Sequence, residues 1–517
     1  LYLLFYLCLA GIGITTMKSL YNWLTKRSTG VLMHVSSLPG NTGIGTIGSH
    51  ARSFIDLLEN SGMAYWQICP LGPTGFGDSP YQSFSSYAGN PYFIDLEDLV
   101  SQGLLEKSDL DVFVSQESKL VDFGFQWNVR WPILRKAALV FLEKAHETVA
   151  FEAFCKNNRE WLCPYALFMG LKRHLDGKPW YEWGDDYKTY TLAAKADVPA
   201  EVEKETLIQK VLQYLFFTQW ENLRAYAKAR SIQIIGDLPI FVAMDSADVW
   251  ADPEVFQLDE TLNPKAVAGV PPDYFSPEGQ LWGNPLYDWD YLKKTKFAWW
   301  IRRVEASMKL YDVVRIDHFR GFDAYWKVPA NADTAIDGQW VKAPGLQLFK
   351  EIKKALPDAL MIAEDLGIID DSIVALREAT GLPGMAVLQF AFDGEDSDYL
   401  PHNQKPNCVL YPGTHDNDTT LGWYDQISED TKHKIRTYLR ISGKEIGWDF
   451  VRSGYASVCK LFIMPMQDLL NLGSDARMNT PGTAQGNWRW RATEEQLEKF
   501  HYESVAYLKD LKRIYYR

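Results

Sequence analysis

DVVRIDHF (312–319) opens on an apolar stretch and closes on charged and polar residues. A run of this kind suits a parallel strand buried on both faces, with its chemistry left at the C-terminal end. Seven other stretches share the form: TGVLMHVSSL (29–38), AYWQICPL (64–71), IQIIGDLPIF (232–241), ALMIAEDL (359–366), GMAVLQFAF (384–392), CVLYPGTHD (408–416) and LFIMPMQDLL (461–470). Helical spacing of apolar residues fills the intervals, for example at 52–60, 295–311, 345–356 and 371–380. Eight strands alternating with helices predict an α/β fold, a TIM-type (β/α)8 barrel.

Uneven spacing places the insertions. Residues 17–517 are read as one catalytic barrel. The wide gap after the second run carries helical periodicity at 132–157 and 206–229, which predicts an inserted, mostly helical subdomain over 72–230. The gap at 243–292 is rich in Pro, Gly, Trp and Tyr and is read as a lid or loop region. Its aromatic part, 269–288, includes Tyr274, Phe275, Trp282 and Tyr287. The stretch after the eighth run is too short for a C-terminal β-sandwich domain. Residues 1–16 form an apolar extension, LYLLFYLCLAGIGI and two threonines, too short to span a bilayer and without a basic flank before it. Met17 is read as the working start.

Composition narrows the partners. The 517 residues hold 53 basic and 66 acidic side chains, a net charge of −13 that disfavours phosphate backbones. Nucleic-acid and membrane binding are therefore not expected, and nothing in the sequence reads out oligomeric state. Aromatics make up 14% of the chain, a supply of flat faces that serves a large core or the apolar face of a sugar ring. Six scattered cysteines, with no C-x-x-C pair, suit reduced thiols. With the incomplete signal segment, they point to a cytoplasmic location; a plastid or secretion is the alternative.

Barrel enzymes work at the C-terminal ends of their strands. Here those ends carry Asp237, Arg315, Asp317, His318, Glu364, Asp365, His415 and Asp416. Converging carboxylates repel, so something must compensate. Three uses stay open: acid–base and nucleophilic work on a glycoside, a divalent metal site, or a structural ion network with Arg315 and Arg320. Glycoside chemistry asks for one ionised and one protonated carboxyl. Arg315 and Asp317 share a strand face, so the guanidinium can hold Asp317 ionised, which suits a nucleophile. Glu364 ends the apolar run MIAE, where burial raises a carboxyl pKa and suits an acid. Asp416, after His415, suits sugar hydroxyls.

The blocks VVRIDHFRGF (313–322), MIAEDLG (361–367) and YPGTHDNDTTLGWY (411–424) resemble the signature regions of glycoside hydrolase family seventy-seven, the 4-α-glucanotransferases called amylomaltases or disproportionating enzymes. GDSPYQSFSSYAGNPYFIDL (77–96), GDLPIFVAMDSADVW (236–250), AGVPPDYFSPEGQLWGNPLYDW (268–289) and ARMNTPG (476–482) extend the likeness from about Gly30 to the C-terminus. The resemblance implies Asp317 as nucleophile, Glu364 as general acid/base and Asp416 as the third, stabilising carboxylate. It implies substrate contacts from Tyr81, Asp237, Trp282, Arg315 and His415. The implied partners are maltodextrins and other α-1,4-glucans derived from starch or glycogen. No cofactor and no metal are implied. An α-glucan hydrolase of the α-amylase clan is the alternative reading.

Overall fold

The structure is a computed structural model that describes residues 19–113, 118–144, 148–272, 276–367, 370–394, 396–483 and 485–517. The apolar extension at 1–16, the start at Met17, and Tyr274 and Phe275 of the expected lid lie outside the described residues.

One strand forms in each of the eight apolar runs: Ser28–Leu32 (β1), Tyr65–Gln67 (β2), Gln233–Leu238 (β3), Val313–Ile316 (β4), Met361–Ala363 (β5), Gly384–Val387 (β6), Cys408–Tyr411 (β7) and Leu461–Pro465 (β8). All pairings among them are parallel, and each strand lies beside its neighbour in the chain, with β8 returning to β1. The Ala363 amide donates to the Pro383 carbonyl at 2.8 Å and bridges the remaining gap between β5 and β6. This is the (β/α)8 barrel.

The two-residue period of a strand divides its side chains between two faces. The inward set is a buried cluster of Leu32, Tyr65, Ile235, Val313, Ile362, Met385, Val387, Val409, Tyr411, Leu461 and Ile463, with Leu24 packed among them. Two positions further along the same inward face, the apolar plug gives way to chemistry: Ile235 is followed by Asp237, Val313 by Arg315, and Ile362 by Glu364. A packed interior thus forms the floor under polar groups at the mouth. Gly30 shares this interior, where an added Cβ would stand 2.6 Å from Cβ of Tyr65 and 2.7 Å from Cδ1 of Ile463. The outward set of each strand faces the helices, including Ser49–Asn60, Ala298–Leu310, Gly345–Ala355 and Asp371–Thr380.

Between β2 and β3 the chain forms Trp131–Glu143, Thr148–Asn157, Arg159–His174 and the 30-residue helix Ala200–Ala229. The long helix buries Gln209, Gln213 and Gln219, and the last two hold the backbone of a neighbouring loop. Gln213 accepts from the Gly89 amide and donates to the Gly89 carbonyl, both at 2.8 Å, while Gln219 accepts from the Asp95 amide at 2.7 Å. A buried loop backbone needs such partners. The glutamines therefore fix the 77–96 segment, which carries Tyr81 to the barrel mouth. Trp220 ties the same helix to the barrel through its indole N–H and the Leu310 carbonyl, at 2.9 Å.

Within 243–292, read as a lid or loop region, two stretches are strands. Ala266–Val270 and Gln280–Pro285 join Ala324–Pro329 and Gln339–Lys342 in a four-stranded antiparallel sheet. The excursions after β3 and after β4 are thus one structure. Gly283 and Pro285 within one strand, and the mostly exposed QWVK of another, hide the alternation that marks a sheet. After β8 the described residues form turns, short helices and the helix Glu494–Tyr515, with no β-sandwich among them.

Candidate active site

Strand register sets the first contact. Asp237 on β3 lies directly opposite Arg315 on β4, both on the inward face. Nη1 of Arg315 meets Oδ2 of Asp237 at 2.5 Å and Oδ1 of Asp317 at 2.9 Å. The Tyr81 hydroxyl donates to the same Asp237 oxygen at 2.7 Å. Burial pushes the Asp237 carboxyl up to about 6, against the pull of Arg315, His415 and the Tyr81 hydroxyl. Burial also works against the Arg315 charge, but Asp237, Asp317, Tyr81 and Glu364 outweigh it and hold the guanidinium well above its ordinary value. Oδ1 of Asp237 is buried and has no hydrogen-bond partner among the described residues.

Glu364 follows β5 and hangs on main-chain amides. Its Oε2 accepts from the His318 N–H at 2.7 Å and its Oε1 from the Leu366 N–H at 2.9 Å. Burial raises this carboxyl to about 7, and the nearby Asp317 charge adds to the rise; Arg315 and the two amides oppose it. A carboxyl so placed carries its proton at near-neutral pH, as a general acid must.

The third group comes from the turn after β7. Oδ1 of Asp416 accepts from the Asn479 side-chain amide at 2.6 Å, and Arg477 donates to the Asp416 carbonyl at 2.8 Å. Nε2 of His415 stands 3.4 Å from Oδ2 of Asp416. The Tyr81 ring stacks on His415 with centroids 5.2 Å apart, and Trp488 leans on both at 5.6 and 5.8 Å. Trp282, on the antiparallel sheet, packs edge-on against His318 at 4.8 Å. Tyr81, Asp237, Arg315, Asp317, Glu364, His415 and Asp416 thus share one mouth, with Trp282 at its rim. Asp317 and Asp416 keep 27% and 43% of their side chains exposed, so a ligand in the mouth can reach them, whereas Arg315 at 3% sits beneath.

Asn479, Arg477, Trp488 and the His318 amide also belong to this mouth, and the strand-end pattern does not point to them. Asn479 and Arg477 sit in ARMNTPG, a stretch quoted above, but beyond β8 and far from any strand end of their own. A main-chain donor such as His318 N–H leaves no mark in residue type. Among the described residues, no group of three or more His, Cys, Asp or Glu side chains is arranged to hold a metal ion, and no helix is long and apolar enough to cross a membrane.

A (β/α)8 barrel whose strand ends combine an arginine-paired aspartate, a glutamic acid poised near neutrality and a third, open aspartate defines an enzyme equipped for glycosidic-bond chemistry. The sequence profile described as 4-alpha-glucanotransferase, glycoside hydrolase 77, matches residues 33–497. The chain belongs to this 4-alpha-glucanotransferase family. It is 48% identical to the 4-alpha-glucanotransferase of Thermus thermophilus, over 92% of this chain and 96% of that one. It is 46% identical to that of Clostridium butyricum, over 94% of this chain and all of the relative. The solved amylomaltase from Streptococcus agalactiae, in complex with acarbose, superposes with a TM-score of 0.91 at 42% identity and covers 95% of this chain and all of its own. Transfer of glucan, rather than hydrolysis, is what these relatives are named for.

Proposed function

We propose that the protein moves α-1,4-glucan segments from a donor maltodextrin to the 4-hydroxyl of an acceptor glucan or glucose, by a retaining double displacement. Asp317 attacks C1 of the donor sugar while Glu364 protonates the departing glycosidic oxygen. The C1–oxygen bond breaks, an Asp317–C1 ester forms, and the shortened glucan leaves. An acceptor then enters, Glu364 takes the proton from its 4-hydroxyl, and that oxygen displaces Asp317 from C1. Asp416 stabilises the positive charge that builds on the ring in both transition states. Arg315, itself paired with the buried Asp237, holds Asp317 from beneath. Tyr81 and His415 offer a stacked platform, and Trp282 a face at the rim.

The observation that carries this reading is the attachment of Glu364 to the amide of the residue next to Asp317. It supports reading Asp317 and Glu364 as a neighbouring pair; a retaining mechanism needs two such carboxyls, about 5–5.5 Å apart. Transfer in place of hydrolysis needs water kept from the ester; the packing of Trp282, from the antiparallel sheet, against His318 supports that sheet as a cover. The free thiols of Cys69, Cys155, Cys163, Cys408 and Cys459 support a reducing, cytoplasmic setting.

Purified protein incubated with maltotriose tests the activity. Transfer yields longer maltodextrins and free glucose with a constant number of reducing ends. A rising number of reducing ends, with maltose and glucose as the only products, would establish hydrolysis instead.

A further inference from the structure

His318 has left-handed backbone angles, φ 50° and ψ 50°, which are uncommon for a residue with a Cβ. The turn changes where successive amides point. The Asp317 amide completes the strand ladder with the Leu238 carbonyl at 3.0 Å. The next two both face Glu364: His318 N–H meets Oε2 of the side chain at 2.7 Å, and Phe319 N–H meets the Glu364 carbonyl at 2.8 Å. The first holds the side chain of Glu364 and the second its main chain, so this turn fixes the residue at both ends.

Two packing features support the turn. The imidazole sits edge-on to Trp282, and Gly321 leaves it room, since a Cβ there would stand 3.2 Å from Cδ2 of His318 and 2.6 Å from Cδ1 of Ile240. Burial pushes the imidazole down to about 4, so the ring is neutral near pH 7 and brings Glu364 no charge. The charged and titratable groups that face Glu364 are Arg315 on β4, Asp317 just after it, and Tyr399 from the segment after β6.

We propose that His318 is a positioning residue for the acid/base step: its left-handed backbone aims an amide at Oε2 of Glu364 and so fixes the direction in which the carboxyl presents its proton. The proposal rests on Glu364 being the acid/base. Its physical basis is the coupling between φ of a residue and the peptide before it. Returning φ of position 318 to negative values, without rerouting the chain, flips the 317–318 peptide and turns the N–H away from Glu364. Residue types that disfavour positive φ should therefore release the acid, and those that tolerate it should not.

The test compares His318→Val with His318→Asn and His318→Gly. All three remove the imidazole, and only the valine opposes the left-handed turn. On maltotriose, the valine variant should fall about tenfold or more below the other two. On α-glucosyl fluoride, whose leaving group needs little protonation, the three should stay within about threefold of one another. The basic limb of the kcat/KM–pH profile should move upward in the valine variant alone, because a carboxylate that loses an N–H donor is a weaker acid. Turnover of the fluoride also reports that the variant is folded; if valine prevents folding, His318→Ala against His318→Gly makes the same comparison more mildly. Equal losses in all variants, or a valine loss of the same size on both donors, would overturn the proposal. Glu364→Gln separates this failure from that of the acid assignment. If Glu364→Gln removes the basic limb while His318→Val behaves like His318→Asn, only the role of His318 falls. If Glu364→Gln keeps the limb and loses equally on both donors, the acid assignment itself falls.

Discussion

Asn479 donates its side-chain amide to Oδ1 of Asp416 at 2.6 Å, from a turn 63 positions further along the chain. The Asn479 main chain meets the same turn, donating to the His415 carbonyl at 3.1 Å. Asp416 is the most open of the proposed catalytic carboxylates, so without this clamp its side chain is free to rotate. A hydrogen bond to a charged group contributes about 1.5–3 kcal/mol. Asn479→Leu should therefore lower kcat/KM on maltotriose by about tenfold to a hundredfold while the melting temperature moves little. An unchanged kcat/KM would show that Asp416 orients itself.

The clamp also shows what a sequence can and cannot reveal. Strand positions follow from local apolar runs, and strand ends then point to Asp237, Arg315, Asp317, Glu364 and Asp416, because a two-residue period puts alternate side chains on one face. Tyr81 and Asn479 come from segments whose path is set by distant packing: Gln213 and Gln219 fix the first, and the turn after β8 delivers the second. The antiparallel sheet was hidden for a related reason. Its four strands come from two separate excursions, and pairing between them has no local signal. The His318 amide was invisible because any residue type supplies an N–H.

Arg315 is a buried cation that serves two carboxylates through one nitrogen. Removing it leaves Asp237 buried beside Asp317 without compensation. Breaking a buried pair in this way costs about 3–5 kcal/mol. Arg315→Met should lower the stability of the fold by about that amount and abolish transfer. Asp237→Asn in the same protein should recover much of the stability but not the activity, since Asp317 still lacks its partner. Urea unfolding of the two single variants and the double variant measures this. Additive losses would mean that Arg315 and Asp237 act independently.

Trp282 packs on the edge of His318 and against Phe241, with 6.4 Å between the latter centroids, and its indole N–H reaches Oε1 of Gln280 at 3.1 Å. The side chain is only half-buried, which leaves it surface for a sugar at the rim. Trp282→Ala should raise the KM for a glucose acceptor about tenfold, the equivalent of about 1.4 kcal/mol of lost contact. A variant that melts earlier but uses glucose normally would confine Trp282 to supporting His318.

The raised carboxyls make stability depend on pH with a definite sign. In the fold Asp237 titrates at about 6 and Glu364 at about 7, against ordinary values of 3.8 and 4.5. Between those limits the folded state binds more protons than the unfolded chain, so stability falls as pH rises. The contribution is fully present below the ordinary values and is lost as pH passes the folded ones. Glu364→Gln has nothing to titrate at this position. Its stability relative to the unchanged protein should therefore rise from about pH 4.5 to about pH 8, and Asp237→Asn should show the same trend completed about one pH unit earlier. Urea midpoints at several pH values across this window test it, and curves that run parallel to the parent would contradict it. The same titration governs turnover. With Glu364 as the proposed acid, release of the leaving glucan needs it protonated, so kcat/KM should decline above about pH 7, where the carboxyl gives up its proton.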